Sequence, residues 1–299
     1  MTRDRKWVGH LAALATYIIF GINPNCSKVV VPQYMTPECY TAVRMLFGTA
    51  VFWLLSLAIP YEKVRRRDWP LFILGGVVMA GTLYAFSEAF RYTSPCYVSL
   101  VSAMSPLIVM LMAAVFLKEP ISWKKSVGVL FGICGALMIV LFSWGVDANM
   151  TVKGLMFCLI NIIFYASYLL ITRSVSGTYS PITLMRWIFL IGTPICVALA
   201  VPTFHTSVGL MSVATPFVYV NLLTVLVFAT IVSYFLLPIA LRQLRPTTVS
   251  MYSNLQPVVT AVVAIATGQD VFTWNKPVAL VLIIIGVYLV TTSRAKGQG

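Results

Sequence analysis

The chain has 299 residues, of which 60% are hydrophobic and only 10% are charged, and its formal net charge is +13. An ordinary soluble domain carries about 25% charged residues, so this composition, with a mean hydropathy of +0.91, excludes a soluble globular protein. The basic residues lie in short connections between apolar runs and form no patch interleaved with aromatic residues, which argues against a nucleic-acid partner.

Ten apolar runs follow one another along the chain, separated by proline, glycine or charged residues. Each run is close to the roughly 20 residues that cross about 30 Å of hydrocarbon. Because lipid leaves every backbone polar group to be satisfied within its own segment, we predict α-helices. The predicted fold class is an all-α integral membrane protein with ten transmembrane helices, at residues 8–31, 38–59, 70–91, 95–117, 124–143, 152–173, 181–201, 214–241, 246–267 and 275–293.

Basic residues are concentrated in alternate connections. The segment before the first helix and the one after the second helix are rich in Lys and Arg, at residues 3–6 and 63–67. The positive-inside rule assigns such segments to the cytoplasm, and an even number of spans places both termini on the same side. We therefore expect a multi-pass protein of the cell (inner) membrane with both termini cytoplasmic.

Three prolines lie inside predicted helices and are candidate kinks. Pro24 is in the first helix, Pro106 in the fourth and Pro257 in the ninth. Proline removes one helical hydrogen bond and crowds the carbonyl of the preceding turn, so a helix can bend or break there.

Three charged residues are candidates for coupling or gating. Glu88 lies within the third predicted helix, near its end and close to Arg91, and Arg44 and Arg186 each open the second helix of one half. The functional hypothesis for Glu88 is proton coupling, with protons as the coupling partner, and the alternative is an ion pair at the membrane interface. For the arginines the hypothesis is a gate or an anion partner, and the alternative is a side chain that extends to the interface.

The chain contains an internal repeat. Residues 89–140 align without a gap on 240–291, so that identical alanine, proline, serine and glycine residues coincide. Earlier in each half, Lys28 aligns with Arg173 and Gly9 with Gly154. We predict two five-helix repeats, at 1–147 and 148–299. Since five is odd, the second repeat must enter the membrane from the opposite side, and such inverted repeats are common in secondary transporters.

The motifs of both halves resemble the EamA-type carriers of the drug/metabolite transporter superfamily. The resemblance is carried by Phe20-Gly21-Ile22-Asn23 with Lys28, Pro37 and Arg44, by 89–95 with Ser105-Pro106-Leu107 and Glu119, and by Ala240-Leu241-Arg242 with Gln256-Pro257 and Asp270. Phe20 stands where the family often has tryptophan. The resemblance implies ten helices, cytoplasmic termini, a central cavity and transport of metabolites or amino acids without ATP.

Polar residues within the helices are the candidates for a solute site, because such residues are costly in lipid. The alternative for each is a hydrogen bond between helices. The predicted substrate-binding residues are Tyr17, Asn23, Tyr84, Ser87, Ser102, Asn161, Tyr165, Tyr168, Tyr234, Ser253 and Asn254. No cysteine or histidine pattern indicates a metal, and no phosphate-binding loop indicates a nucleotide, so we expect no metal and no cofactor.

The sequence favours a monomeric secondary transporter that moves small metabolites, amino acids or related compounds, by alternating access. The runner-up is a sugar-phosphate or nucleotide-sugar exchanger. Such anions need Lys or Arg deep in the cavity, and we expect the cationic residues to lie at helix ends instead. The candidate from another class is a membrane enzyme or receptor, for which no catalytic motif is present.

Overall fold

The computed structural model describes residues 6–93, 95–141, 151–266 and 274–292, and within these ranges it contains helices and no strand. The boundary predicted at residues 147 and 148, like Asp270, lies outside the described residues. The first half contains α1 (Lys6–Val30), α2 (Pro37–Ser56), α3 (Trp69–Ala89), α4 (Pro95–Ser102), α5 (Ser105–Phe116) and α6 (Trp123–Leu141). The second half contains α7 (Val152–Ser176), α8 (Pro181–Ala200), α9 (Phe204–Ser212), α10 (Pro216–Thr224), α11 (Ser233–Gln243), α12 (Pro246–Met251), α13 (Leu255–Ala266) and α14 (Asn275–Thr292).

Helices lie at all ten predicted segments, and most of their bounds differ from the predicted ones by a few residues. The seventh is longer than predicted, because a 3-10 turn at Val201–Thr203 joins α8 to α9. In the described part of the chain, five helical stretches are long and apolar enough to cross a membrane: Pro37–Ser56, Arg66–Ala89, Val152–Ser176, Pro181–Ser212 and Pro216–Gln243. The chain is therefore a multi-pass integral membrane protein.

The second long helix of each half begins with the same local structure. The Thr36 side chain caps α2 by accepting a hydrogen bond from the Cys39 backbone N–H, at 3.4 Å. In the same way, Ser180 caps α8 by accepting from the Thr183 N–H, at 3.2 Å. A proline follows each cap at the first helical position, where its missing N–H costs no hydrogen bond. These caps explain why α2 and α8 begin where they do.

The fourth and ninth predicted helices are both interrupted shortly before a proline. α4 and α5 are separated just before Pro106, and a 3-10 turn at Tyr252–Asn254 separates α12 from α13 just before Pro257. Each proline lacks an N–H and crowds the carbonyl of the preceding turn, which is that of Ser102 or Ser253. By contrast, α1 continues through Pro24 as one helix, so the break that Pro24 permits is not present.

Aligned residues of the two halves make equivalent contacts. The Lys28 ammonium group donates to the Phe90 carbonyl at 2.9 Å, and the Arg173 guanidinium group donates to the Leu241 carbonyl. The first contact joins the end of α1 to the end of α3, and the second joins the end of α7 to that of α11. The halves therefore repeat not only their sequence but also their tertiary contacts.

Glycines allow the helices to pack closely between the halves. Gly48 of α2 lies against the Phe189 ring of α8, and Gly192 of α8 lies against the Met45 side chain of α2. In α6, a Cβ atom added at Gly128 would lie 2.8 Å from the carbonyl oxygen of Gly286 in α14. Small residues let helix backbones approach in this way.

Candidate functional site

A cavity of about 60 Å³ lies between the two halves. It is bordered by α1 to α5 from the first half and by α7, α11, α13 and the 3-10 turn Tyr252–Asn254 from the second. Its volume is below the roughly 300–1,000 Å³ of ordinary ligand sites, so a ligand of that size would fit only if these helices separated. The lining residues are Phe20, Asn23, Arg44, Thr82, Leu83, Phe86, Ser102, Ser105, Asn161, Tyr165, Tyr234, Ser253 and Gln256.

The interrupted helices supply four of the neutral polar groups of this cavity. Ser102 and Ser253 occupy aligned positions in the two halves, and so do Ser105 and Gln256; all four line the cavity. The interruptions before Pro106 and Pro257 place these side chains in the interior of the protein, where irregular backbone is tolerated because it faces a cavity rather than lipid.

Aromatic rings form the largest apolar part of the wall. Phe20 contacts the Tyr234 ring, with 5.8 Å between ring centroids, and the Tyr165 ring, at 6.5 Å. Behind them, the Tyr17 hydroxyl shares a 2.7 Å hydrogen bond with the Tyr165 hydroxyl. Because these rings hold one another by edge contacts and a buried hydrogen bond, the wall is a defined surface against which an apolar or aromatic body can pack.

Arg44 lines the cavity, although the cationic residues were expected to cluster at helix ends, away from it. It is in the second turn of α2, and only 1% of its surface is exposed. Its Nε donates to the Thr230 hydroxyl at 3.0 Å, and its guanidinium carbon lies 5.7 Å from the centroid of the Tyr40 ring. Its Nη1 has no hydrogen-bond partner, and among the described residues no carboxylate lies within ion-pair distance.

The partner of Arg44 lies in a π-helical segment, Val225–Val232, between α10 and α11. The Thr230 hydroxyl donates to the Val225 carbonyl, five residues back, at 3.1 Å, while it accepts from Arg44. π-Helical segments are rare in proteins, and those that do occur are often found at functional sites. The sequence did not identify Thr230 as a site residue, because the residues around it in this segment are all apolar.

Six of the predicted substrate-binding residues line the cavity: Asn23, Ser102, Asn161, Tyr165, Tyr234 and Ser253. The lining residues outside the predicted set, apart from Arg44, are Phe20, Thr82, Leu83, Phe86, Ser105 and Gln256. Three of these are apolar, and a search for polar side chains within helices cannot find them. Apolar walls with a few polar groups are nevertheless the usual composition of a ligand site.

Five of the predicted substrate-binding residues lie outside the cavity lining: Tyr17, Tyr84, Ser87, Tyr168 and Asn254. Tyr17 and Tyr168 lie one layer behind it, where Tyr168 packs edge-on against Tyr234. Ser87 donates to the Leu83 carbonyl, as in an ordinary serine on a helix. Tyr84 packs against Phe157. The Asn254 side chain lies against Gly132, and both of its amide atoms lack a hydrogen-bond partner.

Glu88 forms an ion pair and does not line the cavity. It is 4% exposed, and its carboxylate lies 3.4 Å from the Arg91 Nε. The same arginine donates from Nη2 to both carboxylate oxygens of Glu38, at 2.8 and 3.0 Å. In the part of the chain that the structure describes, Glu88 and Arg44 do not form an ion pair. This geometry favours the structural alternative for Glu88 over proton coupling.

Arg186 also lies outside the cavity lining, although it is only 2% exposed. Its Nη2 donates to the Glu62 backbone carbonyl at 3.1 Å, and the rings of Trp53, Tyr61 and Trp187 surround its guanidinium group at 5.1–5.6 Å. Stacking on aromatic faces stabilises a guanidinium group that has left water. Arg44 and Arg186 therefore differ in environment, although each opens the second helix of a half.

The Glu62 carboxylate lies in the connection between α2 and α3, beside the first turn of α8. It accepts a 2.9 Å hydrogen bond from the Ser180 N–H. Partial burial opposes ionisation of Glu62, but the Ser180 N–H, the Thr183 and Ser180 hydroxyls and the Arg186 charge outweigh it, so the pKa is lowered. Among the described residues, no cluster of histidine, cysteine or carboxylate side chains could hold a metal ion.

Comparison with known proteins supports both the family resemblance and the fold. A protein-family model described as the EamA-like transporter family matches residues 7–141 and again residues 152–292. This result confirms the resemblance, and the family model matches once in each half of the chain. A solved crystal structure, 16% identical to this chain, aligns with a TM-score of 0.76 over 97% of each chain, which supports the fold.

Relatives of similar length are named as transporters. The uncharacterized transporter YyaM of Bacillus subtilis is 22% identical over 285 residues, which cover 93% of this chain and 92% of that protein. An uncharacterized transporter of Archaeoglobus fulgidus is 21% identical over 291 residues, covering 97% and 100%. A riboflavin transporter of Vibrio cholerae is 26% identical over 209 residues, covering 67% of each chain.

Proposed function

The chain belongs to the EamA-like transporter family, and from that premise we propose that it is a secondary carrier moving small metabolites by alternating access. The observation that carries this proposal is the cavity between the two repeats, lined by residues of both. A site at the repeat interface is reached from either side of the membrane when one repeat rocks against the other. The relatives named as transporters support this function over that of an enzyme or receptor.

The proposed topology is ten spans in two inverted repeats, with both termini in the cytoplasm of the inner membrane. The equivalent contacts of Lys28 with Phe90 and of Arg173 with Leu241 support it. With five helices in each half, these two contacts lie near opposite faces of the membrane. Each half thus has the same internal connection, one near the outer face and the other near the inner face.

Amino acids and related metabolites are the solutes we propose first. The neutral polar groups contributed by Ser102, Asn161 and Ser253 suit hydrogen bonding to a small polar solute, and the rings of Phe20 and Tyr234 suit an apolar or aromatic side chain. The relative named as a riboflavin transporter makes other aromatic solutes the next candidates. Because Arg44 lines the cavity, an exchanger of anions such as sugar phosphates is also a candidate, although the sequence alone disfavoured it.

Transport is tested with purified protein reconstituted in liposomes, by counterflow of labelled amino acids and other aromatic metabolites. We expect flux above that of protein-free liposomes for at least one solute. Ser102→Trp, which fills the cavity, should abolish that flux. Val115→Trp, which places the same ring on a side chain that is 72% exposed on α5, should not. Flux that is equal in both variants, or absent for every solute, contradicts the proposal.

A further inference from the structure

We infer that Arg44 is the anion-recognition residue of the cavity, and that the transported solute carries a single carboxylate beside an apolar or aromatic body. This inference rests on the proposed function, since it specifies the solute class of the same site. The carboxylate would be bound by the guanidinium group of Arg44, close to Thr230 and Asn23.

The first argument is the energetic cost of the Arg44 charge. An arginine that is 1% exposed has lost its hydration, and a buried charge is costly unless it is paired and hydrogen-bonded. Arg44 has one hydrogen bond from Nε and a ring at 5.7 Å, while its Nη1 is unpartnered. A ligand carboxylate in the adjoining cavity supplies the missing acceptors and the missing negative charge, and arginine binds carboxylates with two parallel hydrogen bonds.

The second argument is the contrast with the other buried cations. Lys125 is 2% exposed, and its ammonium group lies 2.7 Å from the Glu119 carboxylate, which Thr247 also approaches at 3.1 Å. Arg186 is held by a backbone carbonyl and three rings. Lys125 is thus paired with a carboxylate. Arg186 has an unpartnered Nε, but its guanidinium group is stacked among three rings, and neither cation lines the cavity. Arg44 is the buried cation that faces the cavity and lacks a counter-ion among the described residues.

The third argument is what else the cavity contains. Among the described residues, the lining has one cation and no carboxylate, so a cationic solute meets repulsion without compensation. A phosphate ester with two negative charges meets one arginine, which leaves one charge unmatched. A single carboxylate balances Arg44, and the rings of Phe20, Phe86 and Tyr234 then receive the apolar part. An ammonium group, as in an amino acid, finds hydroxyl and amide oxygens such as those of Ser253 and Asn161.

The experiment measures binding to purified full-length protein in detergent by thermal shift, and so does not depend on transport. The probes are pairs that differ only in the charged group: L-phenylalanine and L-phenylalaninamide, L-leucine and L-leucinamide, 3-phenylpropanoate and 3-phenylpropanamide. Phenyl phosphate tests the alternative anion. We expect at least one acid to bind about tenfold or more tightly than its amide and than phenyl phosphate.

Variants assign any such preference to Arg44. Arg44→Gln should abolish the preference for the acid, Arg44→Lys should retain part of it, and Thr230→Val should weaken it while keeping the charge. The control is the double variant Glu119→Gln/Lys125→Gln, which removes another buried cation together with its counter-ion and should keep the wild-type preference. If Arg44→Gln does not fold, Arg44→Lys and Thr230→Val still test whether Arg44 binds the carboxylate.

Equal binding of acid and amide, preference for the phosphate, binding of no acid, or a preference unchanged in the Arg44 variants overturns the inference. The flux assay is a separate measurement. If the acids bind through Arg44 but no solute crosses the liposome membrane, the carrier proposal fails and the inference stands. If solutes are transported regardless of Arg44, the inference fails and the carrier proposal stands.

Discussion

The Thr49 and Thr193 hydroxyl groups share a 2.7 Å hydrogen bond between α2 and α8. Each threonine directly follows the glycine that lies against the opposite helix, Gly48 or Gly192. Counted from the cap residues Thr36 and Ser180, the two threonines occupy the same position, so the contact joins corresponding residues of α2 and α8. The same reciprocity is seen in the neighbouring contacts of Gly48 with Phe189 and of Gly192 with Met45.

We predict that Thr49→Cys/Thr193→Cys forms a disulfide under mild oxidation, because the Cβ atoms that carry two such close hydroxyls suit a disulfide. A protease site inserted at residues 142–150 allows the halves to be separated on a denaturing gel. They should stay joined until reductant is added, and closing so long a loop should stabilise the protein by about 2–4 kcal/mol. Each single variant controls for pairing with native cysteines. Halves that separate without reductant contradict the contact.

Gly286→Ala should destabilise the protein by about 1–3 kcal/mol, the usual cost of overpacking. A Cβ atom at this position lies 2.6 Å from the Gly128 carbonyl oxygen and 2.8 Å from the Gly132 nitrogen, and backbone atoms cannot move aside as a side chain can. The matched control is Gly209→Ala in α9, where a Cβ atom meets nothing within 4 Å and should be neutral or stabilising. Thermal unfolding in detergent measures both, and equal melting temperatures would refute the close packing of α6 on α14.

The lowered pKa of Glu62 predicts that the stability of the protein depends on pH. Its pKa is lower in the folded protein than in the unfolded chain, so its ionised form stabilises the fold above the unfolded pKa, and this stabilisation is lost as pH falls through the folded pKa. Glu62→Gln should lower the melting temperature by about 1–2 °C at pH 7, a small effect because the carboxylate is partly exposed. The difference should shrink as pH falls below the ordinary range of a glutamate and vanish once the carboxyl group is protonated in the folded protein. A constant difference at all pH values would exclude ionisation as its cause.

Glu88→Gln should leave the pH dependence of transport unchanged, because Glu88 pairs with Arg91 and does not line the cavity. The measurement is liposome flux at several pH values, with Glu38→Gln as the control because Glu38 binds the same arginine. Both variants should show similar, modest losses of stability. A pH profile that flattens in Glu88→Gln alone would restore the proton-coupling hypothesis.

The helix positions were predictable because a span needs a run of apolar residues whatever its neighbours are. The helix Val152–Ser176, for instance, begins where it was predicted and ends three residues later. Local departures were not predictable in the same way. The π-helical segment Val225–Val232 is stabilised by the Thr230 hydroxyl, whose partners are Val225 and the distant Arg44. Hydropathy contains no information on such pairings.

The candidate site was predictable to the extent that its residues are polar and lie within spans, as Asn23 and Asn161 do. Phe20 and Phe86 were not selected, since an apolar ring in a membrane helix looks the same whether it faces lipid or a cavity. For Arg44 the sequence left two alternatives open, a gate or anion partner and a side chain that extends to the interface. Its distance from the helix end suggested access to the interface, but its burial depends on tertiary partners such as Thr230, which only the fold reveals.

In the proposed carrier, the buried charge of Arg44 would make the empty protein sensitive to voltage. A unit charge that crosses the full bilayer field gains or loses about 2.3 kcal/mol per 100 mV, and a charge held part of the way across experiences a fraction of that energy. If Arg44 changes its depth in the field as the halves rock, the membrane potential biases the resting orientation of the unoccupied protein. A bound solute with a net charge of −1 would cancel the charge and release the loaded protein from that bias, so polarisation of the membrane would act on the return step rather than on delivery. A zwitterionic amino acid would leave the bias in place.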